Sequence, residues 1–151
     1  MSHFYQEKIL QYSAEQLYKI IIDVESYPKF LPWCKFSQIT KIYSPNNFEA
    51  DLTISFKSIM QKYTSLVVGD FDENNKIFTV NATAINGPFK KLETKWKVVE
   101  VANDLSKIVC QVDFEFSSAI IGKMLATVFN IASQKMITAF ENRAKFLYHK
   151  H

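Results

Sequence analysis

From Lys35 to Phe116 apolar and polar side chains alternate with a period of two, and clusters of turn-forming residues interrupt the alternation. Phe48, Ala50, Leu52, Ile54 and Phe56 alternate with Glu49, Asp51, Thr53, Ser55 and Lys57, the pattern of a strand buried on one face. Lys35 to Tyr43 precedes it across Ser44-Pro45-Asn46-Asn47. Gln61 to Phe71 follows it, with Tyr63, Ser65 and Val67 opposite Lys62, Thr64 and Asp70. Beyond Asp72-Glu73-Asn74-Asn75 come Ile77 to Ala84 and the turn Asn86-Gly87-Pro88. Leu92, Thr94, Trp96 and Val98 then alternate with Lys91, Glu93, Lys95 and Lys97. After Ala102-Asn103-Asp104, Leu105 to Phe116 directs Cys110, Val112, Phe114 and Phe116 one way and Gln111, Asp113 and Glu115 the other.

At Ser118 the period lengthens to that of a helix, which runs to Tyr148 and spans about 45 Å at ~1.5 Å per residue. Ile121, Leu125, Val128, Phe129, Ala132, Met136, Ala139, Phe140 and Leu147 project to one side. Lys123, Thr127, Asn130, Gln134, Thr138, Glu141 and Lys145 project to the other. So wide an apolar face needs a broad apolar partner, which a curved sheet supplies.

Ahead of the hairpins, His3 to Tyr12 reads as a first strand. Ser13 and Gln16 form a capping box for a helix to about Asp23, with Tyr12 and Leu17 spaced as its hydrophobic staple. In Tyr27-Pro28-Lys29-Phe30-Leu31-Pro32-Trp33-Cys34 two prolines predict a short irregular helix or bend. The order is one strand, two short helices, six strands in successive hairpins and a long helix. That makes an α+β protein, a single domain over residues 1–151 with a bent antiparallel sheet of about seven strands.

Composition narrows the chemistry. Hydrophobic residues make up 48% of the chain and charged residues 22%, ordinary for a water-soluble fold. The 13 Phe and 7 Tyr are a surplus that has to be housed. A net charge of +3 without a dense basic run gives no reason to expect DNA. Cys34 and Cys110 lack metal or disulfide spacing, so reduced thiols in the cytoplasm are expected. No secretory signal is visible, and Ile20-Ile21-Ile22 is too short to span a bilayer, so any membrane contact is peripheral.

Catalytic patterns are missing. His3, His149 and His151 lie at the chain ends, and Gly69, Gly87 and Gly122 build no phosphate loop. No metal site, cofactor or catalytic residue is expected, and the chain reads as a binder. A gap between the long helix and the sheet, lined by inward aromatic residues, suits an apolar ligand. The candidate lining residues are Ile54, Phe56, Trp96, Val112, Phe114, Phe129 and Met136, with Trp33 and Phe89 joining them. Tyr27, Pro28, Phe30, Leu31 and Pro32 are expected to form a lid that touches a membrane surface, with Asn86 to Phe89 also flanking the mouth. The competing possibility is that the same side chains fill a dry core.

The stretches Tyr12-Ser13-Ala14-Glu15-Gln16-Leu17-Tyr18 and Asp23-Val24-Glu25-Ser26-Tyr27-Pro28-Lys29-Phe30-Leu31-Pro32-Trp33-Cys34 are familiar. So are Gly87-Pro88-Phe89, Phe114-Glu115-Phe116-Ser117-Ser118 and Ala139-Phe140-Glu141-Asn142-Arg143-Ala144. In that order, over nearly the whole chain, they resemble the coenzyme Q-binding family that includes bacterial ribosome-association toxins, within the polyketide cyclase and START-like superfamily. The resemblance implies a helix-grip fold and non-catalytic binding of ubiquinone or a related polyprenyl lipid in support of respiration, at the inner membrane. For the bacterial branch it also implies binding to the large ribosomal subunit and a block of subunit association. Lys90, Lys91, Lys95 and Lys97 are the candidate RNA contacts, although Glu93 interrupts the row. Every basic residue except Arg143 is a lysine, which disfavours arginine-dependent RNA readout. Arg143 projects onto the apolar side of the long helix. Either it snorkels outward at the end of the helix, or it forms a structural ion pair, with Asp23 first and Glu115 second as partner.

Overall fold

The computed structural model describes residues 2–56 and 58–148, and the side chain of Phe56 lies outside the described residues, as do Lys57, His149 and His151. Strand β1 (Ser2–Leu10) leads into helix α1 (Ala14–Ile22) and a 3-10 helix (Val24–Lys29). Strands β2 (Cys34–Ser44), β3 (Asn47–Phe56), β4 (Ile59–Asp72), β5 (Ile77–Ala84), β6 (Phe89–Ala102) and β7 (Leu105–Phe116) follow, and helix α2 (Ala119–Tyr148) ends the chain. The seven strands form one antiparallel sheet in the order β1-β7-β6-β5-β4-β3-β2. Every neighbouring pair is a hairpin except β1, which returns to β7 with Phe4 opposite Val112. This is the helix-grip arrangement expected above.

The local chemistry explains the elements. The Ser13 hydroxyl accepts the Gln16 N–H at 3.1 Å while the Gln16 side chain accepts the Ser13 N–H at 3.0 Å, which starts α1 as a capping box. Leu17, Ile20 and Ile21 then face the core. Between Val24 and Lys29, Pro28 supports only the tighter 3-10 turns. Register shifts in β2 and at both ends of β6 mark bulges that bend those strands.

Helix α2 buries Leu125, Val128, Phe129, Ala132, Ile137, Phe140 and Ala144 against the sheet. Two details differ from the helical projection. Leu147 is exposed, while its neighbour Tyr148 packs on Tyr12 and donates to the Gln16 carbonyl. Glu141, placed on the wet side by its angle, is partly covered and accepts from Lys8 Nζ at 2.7 Å.

Candidate functional site

Two clusters of rings fasten α2 to the sheet. Near its start Phe129 meets Phe114 at 5.1 Å, Phe89 at 5.2 Å and Phe116 at 5.5 Å between centroids. Toward its end Phe140 meets Trp96 at 4.7 Å, Phe30 at 5.1 Å and Tyr27 at 5.5 Å. Such pairs lock by shape as well as by buried area. Between the two anchors α2 offers the small Ala132 and Ser133 and the flexible Met136, which cannot fill the span.

The result is a pair of adjoining cavities of about 90 Å³ and about 70 Å³, with Trp33, Ile54, Tyr63, Thr94 and Met136 lining both. The larger also touches Tyr27, Leu31, Cys34, Leu52 and Trp96, and the smaller touches Val112, Phe129, Ala132 and Ser133. Their shared walls include Met136, an unbranched and adaptable side chain. One continuous cavity was expected, and the space comprises two adjoining cavities with five wall residues in common.

Of the candidate lining residues, Trp33, Ile54, Trp96, Val112, Phe129 and Met136 stand on these walls. Phe89 and Phe114 are not among the lining residues and pack in the anchor around Phe129. The Phe56 side chain lies outside the described residues.

The sequence reading missed the polar residues of the walls. Tyr63 stands opposite Leu52 on β3, and Thr94 lies between Ala82 on β5 and Val112 on β7. Tyr63, Ser65, Thr94 and Ser133 all line the cavities, and none of their hydroxyls is hydrogen-bonded to another described residue. Ser65 and Ser133 are each 4% exposed. Burial raises the ionisation of the Tyr63 phenol far above its ordinary value, so it stays a neutral donor. For Tyr63, Ser65 and Thr94 the signal was present in the alternation, because they occupy the apolar phase of β4 and β6; Ser133 sits on α2.

The turn before β6 braces that wall. Asn86 accepts the Thr64 N–H at 2.8 Å, and a β-carbon on Gly87, whose φ is 101°, would meet the Tyr63 β-carbon at 2.6 Å. Only glycine fits there. Asn86 and Gly87 therefore hold Tyr63 in place.

The Tyr27 to Pro32 segment is divided between inside and outside. Tyr27 and Leu31 line the larger cavity, and Leu31 is 4% exposed, so it is a wall residue and not a membrane-facing lid. The Tyr27 hydroxyl donates to the Ile21 carbonyl. Phe30 and Pro32 face an outer groove, and Pro28 is half-buried.

Arg143 forms no ion pair with Asp23 or Glu115. Its guanidinium lies 5.4 Å from the Phe30 ring centroid and 5.1 Å from that of Phe146. The Asp23 carboxylate accepts the Ser26 hydroxyl at 2.6 Å, and Glu115 lies 3.9 Å from Lys90 Nζ. A long side chain keeps its charged head at the surface while its stem lies over apolar rings. Lys90, Lys91, Lys95 and Lys97 are all exposed on β6, with Lys95 paired to Glu93 at 3.1 Å.

Neither thiol is prepared for nucleophilic chemistry. Burial pushes Cys34 up to about 11 and Cys110 up to about 12, which leaves both protonated near neutrality. Among the described residues no three His, Cys, Asp or Glu side chains converge, and no helix is long and apolar enough to cross a membrane.

The comparisons agree with this geometry. Residues 10–141 match the family model for polyketide cyclase / dehydrase and lipid transport. The ribosome association toxin RatA of Rickettsia prowazekii is 36% identical over 147 residues, covering 96% of this chain and 97% of its own. The mitochondrial coenzyme Q-binding protein coq10 of Schizosaccharomyces pombe is 31% identical, covering 91% and 84%. A START superfamily protein from Mycobacterium smegmatis superposes with a TM-score of 0.77 at 20% identity, over 96% of this chain and 98% of that one.

Proposed function

We propose that this chain, which belongs to the polyketide cyclase / dehydrase and lipid transport family, is a non-catalytic carrier of ubiquinone or a related polyprenyl lipid. The observation that carries the reading is the set of unpartnered hydroxyls in an otherwise apolar wall. These hydroxyls open onto the cavities, and a ligand that brings acceptor oxygens takes up the hydrogen bonds they have free. A quinone ring offers two carbonyl acceptors on a flat apolar body, with Tyr63 and Thr94 as the donors. The cavities are smaller than the roughly 300–1,000 Å³ of sites for drug-sized ligands, so entry requires Met136 and Trp33 to turn aside. The relative named as coenzyme Q-binding supports the same ligand class.

The non-catalytic part of the reading rests on the two protonated thiols and on walls without a general base. Carriage between the cytoplasm and the inner membrane surface, in support of respiration, follows from such a ligand. Extraction of lipid from protein purified from a quinone-making host tests the proposal directly. Mass spectrometry is expected to find a polyprenyl quinone near one per chain, and a chain that carries only ordinary phospholipid contradicts it.

A second reading concerns the outer face of β6, and the relative named as a ribosome association toxin favours it. Lys91 and Lys97 are exposed there without an ion-pair partner among the described residues. Under this reading the chain cosediments with the large ribosomal subunit at low salt. Binding falls steeply as salt rises and disappears when Lys90, Lys91, Lys95 and Lys97 become Gln. An absence of cosedimentation at low salt removes it.

A further inference from the structure

Outside the cavities, a groove of about 740 Å³ runs between residues 29–33 and the last turns of α2. Three cations line it, Lys29, Lys135 and Arg143, and its lining contains no carboxylate. None of the three has an ion-pair partner among the described residues, whereas Lys8, Lys19, Lys62, Lys90, Lys95 and Lys107 each lie beside a carboxylate. Lys91 and Lys97 on β6 are unpaired as well, so it is the clustering beside exposed rings that sets the groove apart. Rings supply the rest of the character. Phe30 and Phe146 lie beside the Arg143 guanidinium, and Phe146 is 69% exposed. Behind Arg143 a smaller cleft contains Asp23 and Lys19; Lys19 pairs with Glu15 at 3.6 Å, and the Asp23 carboxylate accepts the Ser26 hydroxyl.

We propose that this groove docks the chain on a bilayer by seating the phosphate headgroup of an anionic phospholipid on Lys29, Lys135 and Arg143. Three cations without an ion-pair partner attract a phosphate, and the planar guanidinium beside two aromatic rings offers a fork of N–H donors suited to its oxygens. The exposed aromatics distinguish a lipid headgroup from other phosphates. An exposed Phe beside Lys and Arg suits the boundary between headgroups and acyl chains, and each cation there adds attraction to an anionic leaflet. Trp33 supplies the link to the interior, since it lines the groove and both cavities. The passage of a tail past Trp33 rests on the lipid-carrier reading, whereas the headgroup seat stands on the groove alone.

The test is cosedimentation with vesicles of phosphatidylcholine, with and without phosphatidylglycerol. Binding is expected only with phosphatidylglycerol, weakening as salt rises. K29Q/K135Q should weaken it roughly thirtyfold, and R143Q roughly fivefold with recovery in R143K. K123Q/K145Q removes the same charge from exposed positions of α2 outside the groove and should have a much smaller effect. Equal binding to both vesicles, an equal loss in K123Q/K145Q, or displacement by inorganic phosphate overturns the headgroup seat. Thermal melting confirms that each variant is folded. Quenching of Trp33 and Trp96 by a short-chain quinone in vesicle-free solution reads the interior cavities separately, so failure of the docking surface and failure of the carrier are distinguishable.

Discussion

Two residues carry most of the meaning at the smallest scale, and they differ in how visible they were. Arg143 looked like a buried charge because a helical projection reports angle and ignores side-chain length. In the structure its head reaches the surface over Phe30 and Phe146. Arg143→Met should therefore cost about 0.5–1 kcal/mol, the size of an exposed cation–π contact, rather than the several expected for an orphaned buried ion. Asp23→Asn should restore nothing in the double variant, because the two residues do not pair. Denaturant midpoints of both singles and the double check this. Tyr63 was legible in principle, since it occupies the apolar phase of its strand together with Ser65. Tyr63→Phe keeps the ring contact with Phe89 at 5.3 Å and removes only the hydroxyl. Quinone affinity should fall about three- to tenfold, with the melting temperature unchanged or slightly raised. An unaltered affinity would remove the phenol from the recognition scheme.

Among the elements, the hairpins were readable because turn chemistry and a two-residue period agree, and α1 was readable from its capping box. Residues 24–33 were readable as a short irregular helix, which the 3-10 turns bear out, but the facing of their side chains was not. Two prolines interrupt any period there, so nothing in the pattern distinguishes the inward Leu31 from the outward Pro32. The same limit applied to α2. Its wide apolar face was plain, but the gap between the Phe129 and Phe140 anchors depends on the volumes of Ala132, Ser133 and Met136 against a sheet whose curvature the sequence does not display. The buried thiols of β2 and β7 add a pH dependence. Unfolded, both ionise near 9, while the folded chain holds them protonated to about 11 and about 12. Their contribution is complete below about pH 9 and is lost as pH rises through 9 toward 11, by on the order of 1–3 kcal/mol per pH unit for the pair. The buried Tyr27 and Tyr63 phenols act in the same direction at higher pH. Denaturant titrations at about pH 8 and about pH 10 should show the drop, and Cys34→Ala with Cys110→Ala should flatten it.

On the scale of the molecule, the chain presents three surfaces with separate chemistry. These are a hydroxyl-bearing apolar interior, a cationic groove joined to it at Trp33, and an outer sheet face dotted with lysines. Family membership and fold were within reach of the sequence. The size and division of the interior space were not, because a void is what remains after packing. The central claim is that this space receives a quinone, and the two tryptophans of the chain, Trp33 and Trp96, both stand on its walls. Titration of the protein with a short-chain ubiquinone, followed by tryptophan fluorescence, is the most direct measurement. Saturable quenching is expected in the wild type, together with its loss in Ala82→Phe/Ala132→Phe, where rings from β5 and α2 occupy the larger and the smaller cavity while the chain still melts cooperatively. Quenching that never saturates, or that persists undiminished in Ala82→Phe/Ala132→Phe, would contradict a ligand held between the helix and the sheet.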